Sequence, residues 1–325
     1  MKAVIVKGFG GIDMLSYEES PMPNPGPDEV LIQTAAASVN FADIMARQGR
    51  YHGGGQPPFI PGLDVAGTVV KVGEGVQNIK PGQRVAGFVH AGSYAEYCAV
   101  KAVLTYPVPD AVDFDSAAAF PTVGVTAYEL LTRVTQLRPG ESVLVHAAAG
   151  GVGLAAVQMA RLLGAKTVIG TVGSAEKARV AVSYGADYAI DYQSGDFADK
   201  VLELTGGNGV DVILDSVSGP VFQESMRCLA RFGRIAVFGM AGGQPGQFTT
   251  DGLHGSCRSV LGYSMGTHRR FRPEVLAEPV RKVLEYLEHG QLRMAIQARF
   301  SLKDAGLAQE LVENRRSTGK VLLFP

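Results

Sequence analysis

Apolar residues change rhythm about a third of the way along the chain, and the change predicts two kinds of structure. In the first third they come as strand-length runs broken by glycine and proline: Ala3 to Val6, Glu29 to Ala36, Val65 to Val72, Arg84 to Phe88 and Ala95 to Val100. That pattern predicts an all-β module with irregular loops and one short helix over Val39 to Gln48. The prolines Pro21, Pro23, Pro25 and Pro27 form a stiff surface connection. From about Thr122, strand-like runs (Ser142 to Ala147, Thr167 to Val172, Tyr188 to Asp191, Val210 to Asp215, Arg234 to Gly239) alternate with helical spacing (Val152 to Leu163, Ser174 to Tyr184, Phe197 to Thr205, Pro220 to Leu229). Such alternation predicts βαβ units and a parallel sheet. Beyond the Gly/Gln-rich loop Ala241 to Gln247 come an apolar run (Val260 to Met265), an amphipathic helix (Glu274 to Glu288) and a closing strand (Lys320 to Phe324).

One segment carries chemistry. Ser142 to Ala160, SVLVHAAAGGVGLAAVQMA, runs from strand through a glycine turn into a helix without a charged side chain. Glycines there let the backbone turn sharply and approach a pyrophosphate, with helix N–H groups and the positive dipole end facing the negative charge. In the frame Ala148-Ala149-Gly150-Gly151-Val152-Gly153, alanine occupies the first glycine position of G-x-G-x-x-G. A membrane span is excluded by its three glycines, His146 and Gln158 and by the lack of a basic flank. A glycine-rich loop in an unrelated α/β core is the alternative on these residues alone.

Composition narrows the partners. At about 150 residues per domain, 325 residues suggest two domains. Thirty basic and 31 acidic residues leave a net charge of -1, with no footprint for nucleic acid or an anionic membrane. The amino-terminal apolar run Ala3 to Val6 is too short for a signal peptide, so a cytoplasmic location is expected. Cys98, Cys228 and Cys257 are widely separated and read as reduced thiols. The six histidines show no metal-ligand spacing, and no metal is expected.

The runs PGLDVAGTVVKVGEGV (Pro61 to Val76), KPGQRVAG (Lys80 to Gly87), PTVGVTAYELL (Pro121 to Leu131), VLVHAAAGGVGLAAVQMARLLGA (Val143 to Ala165) and STGKVLLFP (Ser317 to Pro325) occur in order. Together they resemble the medium-chain dehydrogenase/reductase superfamily, specifically its zinc-free quinone oxidoreductase branch, to which ζ-crystallin belongs. The resemblance covers essentially the whole chain. It implies an α/β protein with a GroES-like β-rich catalytic domain, residues 1–121 and 264–325, and a doubly wound Rossmann domain, residues 122–263, with the active site in the cleft between them. Zinc-dependent relatives carry a cysteine where this sequence has Asn40 and a histidine where it has Leu63. Neither replacement serves as a zinc ligand. Asp64 stands where many relatives have glutamate, which leaves a packing hydrogen bond and a catalytic contact both open.

Cofactor choice follows from the end of the second strand, where an NAD-specific fold offers an acid to the ribose about 20 residues past the glycines. Here Gly170-Thr171-Val172-Gly173-Ser174 has none, and Lys177 and Arg179 follow. A cation beside a 2′-phosphate makes a charge-assisted contact, so NADPH is expected over NADH. The resemblance assigns the 2′-phosphate to Ser174, Lys177 and Tyr192, and the nicotinamide to Thr126, Phe238 and Gly239. Ala148, Gly150, Gly151, Val152, Gly153 and Thr171 complete the expected cofactor set, with Lys320 reaching it from the carboxy terminus. His146 reads as a hydrogen-bonded core histidine.

The resemblance also implies a polar substrate wall of Asn40, Asp43 and Tyr51, with water as proton source and the loop Tyr51 to Pro58 shaping the pocket. Hydride transfer to a quinone builds charge on oxygen and needs donors there. Three functions are carried forward: an NADPH:quinone reductase; an enoyl or enone reductase acting on α,β-unsaturated carbonyls or thioesters; and an NADPH-binding protein with little turnover. Pairing across the apolar edge Val260 to Met265 predicts a homodimer.

Overall fold

The computed structural model describes residues 1–51 and 55–325. They form two compact units, Met1–Val125 with Met265–Pro325, and Thr126–Ser264. The first unit carries β1 (Lys2–Val6), β2 (Leu15–Glu19), β3 (Glu29–Val39), β4 (Asp64–Val72), β5 (Arg84–Phe88), β6 (Tyr97–Lys101) and β7 (Thr105–Pro107), with α1 (Phe41–Arg47) after β3 and α2 (Phe114–Glu129) at its end. Pro121 lies inside α2. The expected boundary at 121/122 lies inside this helix, four residues before the passage from one unit to the other at 125/126.

In the second unit the elements are β8 (Ser142–Val145), α3 (Gly151–Leu162), β9 (Thr167–Val172), α4 (Ala175–Ser183), β10 (Tyr188–Asp191), α5 (Phe197–Leu204), β11 (Val210–Asp215), α6 (Pro220–Cys228), β12 (Leu229–Val237), α7 (Thr250–His254) and β13 (Ser259–Gly262). All its strand pairs are parallel, in the order β10-β9-β8-β11-β12-β13. Counted within the unit this is 3-2-1-4-5-6, the doubly wound Rossmann order. Leu144, Ile169, Val201, Ile213, Phe222 and Ile235 are buried together in its core. Strands covered on both faces need near-continuous apolar runs, which is why these were legible as strands. β12 departs from expectation by starting at Leu229 instead of Arg234. Arg231, Phe232 and Gly233 read as a turn, and Phe232 does take φ 63° while the pairing with β11 shifts register nearby.

The chain returns to the first unit with α8 (Met265–Phe271), α9 (Ala277–Glu288), β14 (Ile296–Ser301), α10 (Ala305–Glu313) and β15 (Lys320–Phe324). The expected apolar run Val260 to Met265 therefore splits between β13 and α8. β14 and α10 have no counterpart in the sequence reading. They make a parallel crossover, β14 pairing with β15, which extends the β-rich sheet to the order β14-β15-β3-β4-β5-β7, with β6 on β3. β3 runs three residues beyond expectation because Ala37, Ser38 and Val39 pair with Leu323, Leu322 and Val321. Val4, Val39, Tyr94, Leu302, Val321 and Leu323 pack as one buried cluster of this GroES-like unit. The Val39 end of β3 leads through Asn40 into α1, and so sets where Asn40 and Asp43 stand.

Candidate functional site

In the second unit β8 stops at Val145, two residues before its expected end, because Ala147 takes φ 50° and turns the chain. The turn is closed by hydrogen bonds from Ala148 N to the Thr171 carbonyl (3.0 Å) and from Gly150 N to the Ala147 carbonyl (2.9 Å). Gly150 is the extended residue before α3, whose first residues include Gly151, Val152 and Gly153. A Cβ on Gly153 would sit 2.4 Å from the Ala147 carbonyl oxygen, so the loop folds over this glycine too closely for any side chain. The helix N–H groups of α3 thus emerge from a turn built of Ala and Gly, which is the cradle a pyrophosphate needs. It lies at the carboxyl ends of β8 and β11, where the strand order reverses.

At the end of β9 the residues expected to select the cofactor come together. Ser174 caps α4, its Oγ accepting from Lys177 N at 3.3 Å. Tyr192 is 44% exposed, and a Cβ on Gly173 would meet its hydroxyl at 2.7 Å, so the phenol leans over the Gly173-Ser174 turn. Ser174, Lys177 and Tyr192 therefore share one corner, with donors able to meet a phosphate. Phe238 N donates to the Asp215 carbonyl at 2.9 Å, which fixes Phe238 and Gly239 just past the end of β12. Thr126 is buried in α2.

Thr171 does not fit its expected role through its side chain. Its hydroxyl meets His146 Nδ1 at 2.8 Å, and His146 Nε2 meets Ser225 Oγ at 2.8 Å. Ser225 spends its own hydrogen on the Val221 carbonyl, so Nε2 carries the imidazole proton and Nδ1 accepts from Thr171. Burial holds the His146 pKa down at about 4, and the ring is a neutral core histidine.

Asn40, Asp43 and Lys320 belong to one buried cluster in the first unit. Asn40 Nδ2 donates to Asp64 Oδ2 at 2.8 Å, and its Oδ1 accepts from Lys320 Nζ at 2.7 Å. Lys320 Nζ also donates to the Val39 carbonyl at 3.0 Å and lies 3.8 Å from Asp64 Oδ2. Asp64 further accepts from Ser38 Oγ (3.1 Å), Thr122 N (3.1 Å) and Thr122 Oγ1 (2.6 Å). Lys320 Nζ is thus engaged within the first unit by the Val39 carbonyl and Asn40 Oδ1. Burial lowers the Lys320 pKa while Asp64 and Asp43 draw it back up. Asp64 ties β3, β4 and α2 by hydrogen bonds. These contacts were not readable from its neighbours in sequence, because its hydrogen-bond donors lie 24 to 58 positions away and Lys320 farther still.

Asp43 is 1% exposed, and its Oδ2 accepts from Asn40 N at 2.8 Å and from the Tyr94 hydroxyl at 3.1 Å. The carboxylate caps α1 instead of forming an open substrate wall, a role its spacing of three from Asn40 already allowed. Burial, with nearby Asp64 adding to it, raises its pKa from 3.8 to about 7 despite the hydrogen bonds. The unfolded carboxyl releases its proton near pH 4 while the folded one holds it, so the folded state binds more protons between these values. Stability is therefore expected to fall as pH rises from about 4 to about 7, by at most ~1.4 kcal/mol per pH unit, and to level off above. Melting temperatures across this range should show a shallower decline in Asp43→Asn than in the unmodified protein. Parallel curves would contradict it.

Tyr51 alone of the expected wall borders open space. It lines a cavity of about 290 Å³, and Arg269 reaches its hydroxyl at 3.5 Å. His52, Gly53 and Gly54 of the expected pocket loop lie outside the described residues. Arg269, 218 positions from Tyr51, was not anticipated from the sequence. Among the described residues no group of three or more His, Cys, Asp or Glu side chains is arranged to hold a metal.

These arrangements match known proteins. Family models for zinc-binding dehydrogenases and for the alcohol dehydrogenase GroES-like domain match residues 151–279 and 26–110. The quinone oxidoreductase of Pseudomonas aeruginosa is 37% identical over 330 residues, covering 100% of this chain and 99% of that protein. Quinone oxidoreductase 1 of Escherichia coli is 37% identical over 328 residues, covering 97% of each. A crystal structure of Escherichia coli quinone oxidoreductase complexed with NADPH superposes with a TM-score of 0.93 at 34% identity, covering 100% of both chains. With its GroES-like unit, its Rossmann unit and full-length relatives of this kind, the chain belongs to the quinone oxidoreductase branch of the medium-chain dehydrogenase/reductase superfamily.

Proposed function

We propose that the protein is an NADPH-dependent oxidoreductase that reduces quinones without zinc. The observation that carries this reading is the corner formed by Ser174, Lys177 and Tyr192 beside the side-chain-poor turn at Gly150 to Gly153. The fit is one of donors and space: Ser174 and Tyr192 hydroxyls and the Lys177 ammonium would hold the 2′-phosphate, and the N–H groups of α3 the pyrophosphate. Bound NADPH supplies a hydride. The chain's own part is to orient the acceptor and to offer donors to the oxygen on which charge builds, and Tyr51 is the group suited to that. The Asn40 amide is engaged at both ends and Leu63 is apolar, which supports zinc independence.

Loss of NADPH absorbance with purified protein and a panel of quinones and enones tests this. Quinone-dependent oxidation is expected, with NADH at least about tenfold poorer in kcat/KM, and Lys177→Ala should narrow that preference by about tenfold or more. Preference for enones or enoyl thioesters would replace quinone as the acceptor class, and NADPH binding without turnover would remove the enzymatic reading. Among the described residues no helix is long and apolar enough to cross a membrane, in keeping with assay in free solution. A homodimer paired along the sheet edge at β13 belongs to the same reading, since an unpaired apolar edge invites a partner. Light scattering coupled to sizing should return twice the chain mass; a monomer at all concentrations would refute the pairing.

A further inference from the structure

Two arginines of the first unit are buried, and their charges are met differently. Arg47 donates to Gln309 Oε1 and to the Gly10 carbonyl, each at 2.7 Å, and pairs with the Glu313 carboxylate at 2.5 Å. Arg269, 3% exposed in α8, donates to the Val89 carbonyl at 3.0 Å and reaches the Tyr51 hydroxyl only at 3.5 Å. Its Nε has no partner, and among the described residues no carboxylate pairs with it. A guanidinium withdrawn from water without a counter-charge is costly, and the cost is relieved by an anion.

The space for one adjoins it. Arg269 lines the cavity of about 290 Å³ together with Tyr51, His90, Arg270 and Phe271, and none of its described lining residues is acidic. The charges that act on His90 come from Arg269, Lys101 and Arg270, all positive; burial first and these cations next push its pKa below the ordinary value. The imidazole therefore adds hydrogen bonding without adding much charge at neutral pH. Phe271 is 68% exposed, with the Arg270 guanidinium 5.1 Å from its ring centroid, and gives the opening an aromatic wall. The volume is near the lower end of the small-molecule range.

We propose that this cavity binds an acidic group carried by the acceptor, a carboxylate on an aromatic or unsaturated ring, with Arg269 as its buried partner and Arg270 at the rim. The assignment rests on the proposed reductase function and names its substrate class. Bidentate recognition of a carboxylate is what the planar guanidinium does best, and its free donors are available for it.

The test compares menadione, which is neutral, with a sulfonated naphthoquinone as the anionic acceptor. In Arg269→Gln the ratio of kcat/KM for the anionic over the neutral quinone is expected to fall by about 30-fold, carried by KM, as for loss of a charge-assisted hydrogen bond. An unchanged ratio would overturn the proposal. So would weaker NADPH binding with the ratio preserved, since the guanidinium would then serve the nucleotide. If Arg269→Gln fails to fold, Arg270→Gln at the exposed rim should lower the same ratio at least about threefold; no change there overturns it as well. Calorimetry of naphthalene sulfonate on the nucleotide-free protein separates the two readings. Binding that is abolished in the arginine variant, in a protein that reduces no quinone, would keep the anion site and discard the quinone reductase; no binding with active quinone turnover would do the reverse.

Discussion

Gly153→Ala is expected to weaken NADPH binding by about 100-fold or more and to lower the melting temperature of the nucleotide-free protein. Its new Cβ would lie 2.4 Å from the Ala147 carbonyl oxygen and 2.7 Å from both the Cα and carbonyl carbon of Ala148. All three are backbone atoms, so no rotamer change relieves the clash and the turn itself must open. Opening it pulls apart the Ala148 N to Thr171 carbonyl bond and misdirects the first N–H groups of α3. Overpacking of this kind costs about 1–3 kcal/mol before any ligand is considered. Titration by NADPH fluorescence, with thermal melts alongside, checks both parts. Gly255→Ala is the control, because its Cβ would meet only the Asp251 carbonyl at an ordinary 3.8 Å. Equal NADPH affinity in Gly153→Ala and the control would exclude this turn as the pyrophosphate cradle.

Lys320→Met should be the most damaging of the substitutions considered for stability. It strips a donor from the Val39 carbonyl and from Asn40 Oδ1, and it leaves Asp64 without the ammonium 3.8 Å away. Both side chains of that pair are buried, at 3% and 0% exposure, so water cannot take over from the lost partner. Removing one member of a buried pair costs about 3–5 kcal/mol. Ser38, Asn40 and Thr122 still donate to Asp64, which argues for the lower part of that range. Denaturant unfolding of Lys320→Met, Asp64→Asn and the double variant measures it. The double variant should lose less than the two single losses added together, since neutralising Asp64 removes the uncompensated charge. Strict additivity, or a Lys320→Met loss below about 1 kcal/mol, would show that the cluster is not coupled in this way.

Asn40, Asp43 and Lys320 show how far residue type leads when its surroundings are unseen. Their positions in the family pattern marked them as functional, and the residue types suited a polar wall or a cofactor contact. The fold turns them toward one another as well, because β15 returns beside β3 and brings Lys320 to the start of α1. In the same way Thr171 faces His146 across the core of the second unit. The nearness of Ser174 and Lys177, by contrast, follows from local helix geometry alone, since a cap and the residue three positions later are neighbours. Arg269 was invisible in the sequence, where it stands in the run His268 to Arg270 and its contacts with Val89 and Tyr51 are 180 and 218 positions away.

By itself the sequence determined the elements whose patterns are local: the strands from β8 to β11, the glycine turn before α3, the missing acid after β9 and the family to which these runs belong. Period-2 and period-3.6 spacing, capping and turn chemistry act over a few residues, so they survive in a one-dimensional reading. Only the tertiary structure decided that β3 extends to Val39, that β14 and α10 form a crossover, that Asp43 caps a helix with its pKa raised to about 7, and that Arg269 lies buried beside Tyr51. These depend on residues as far apart in sequence as Ala37 and Leu323 and on the exclusion of water, which raises or lowers the cost of a charge by more than any neighbour in sequence does.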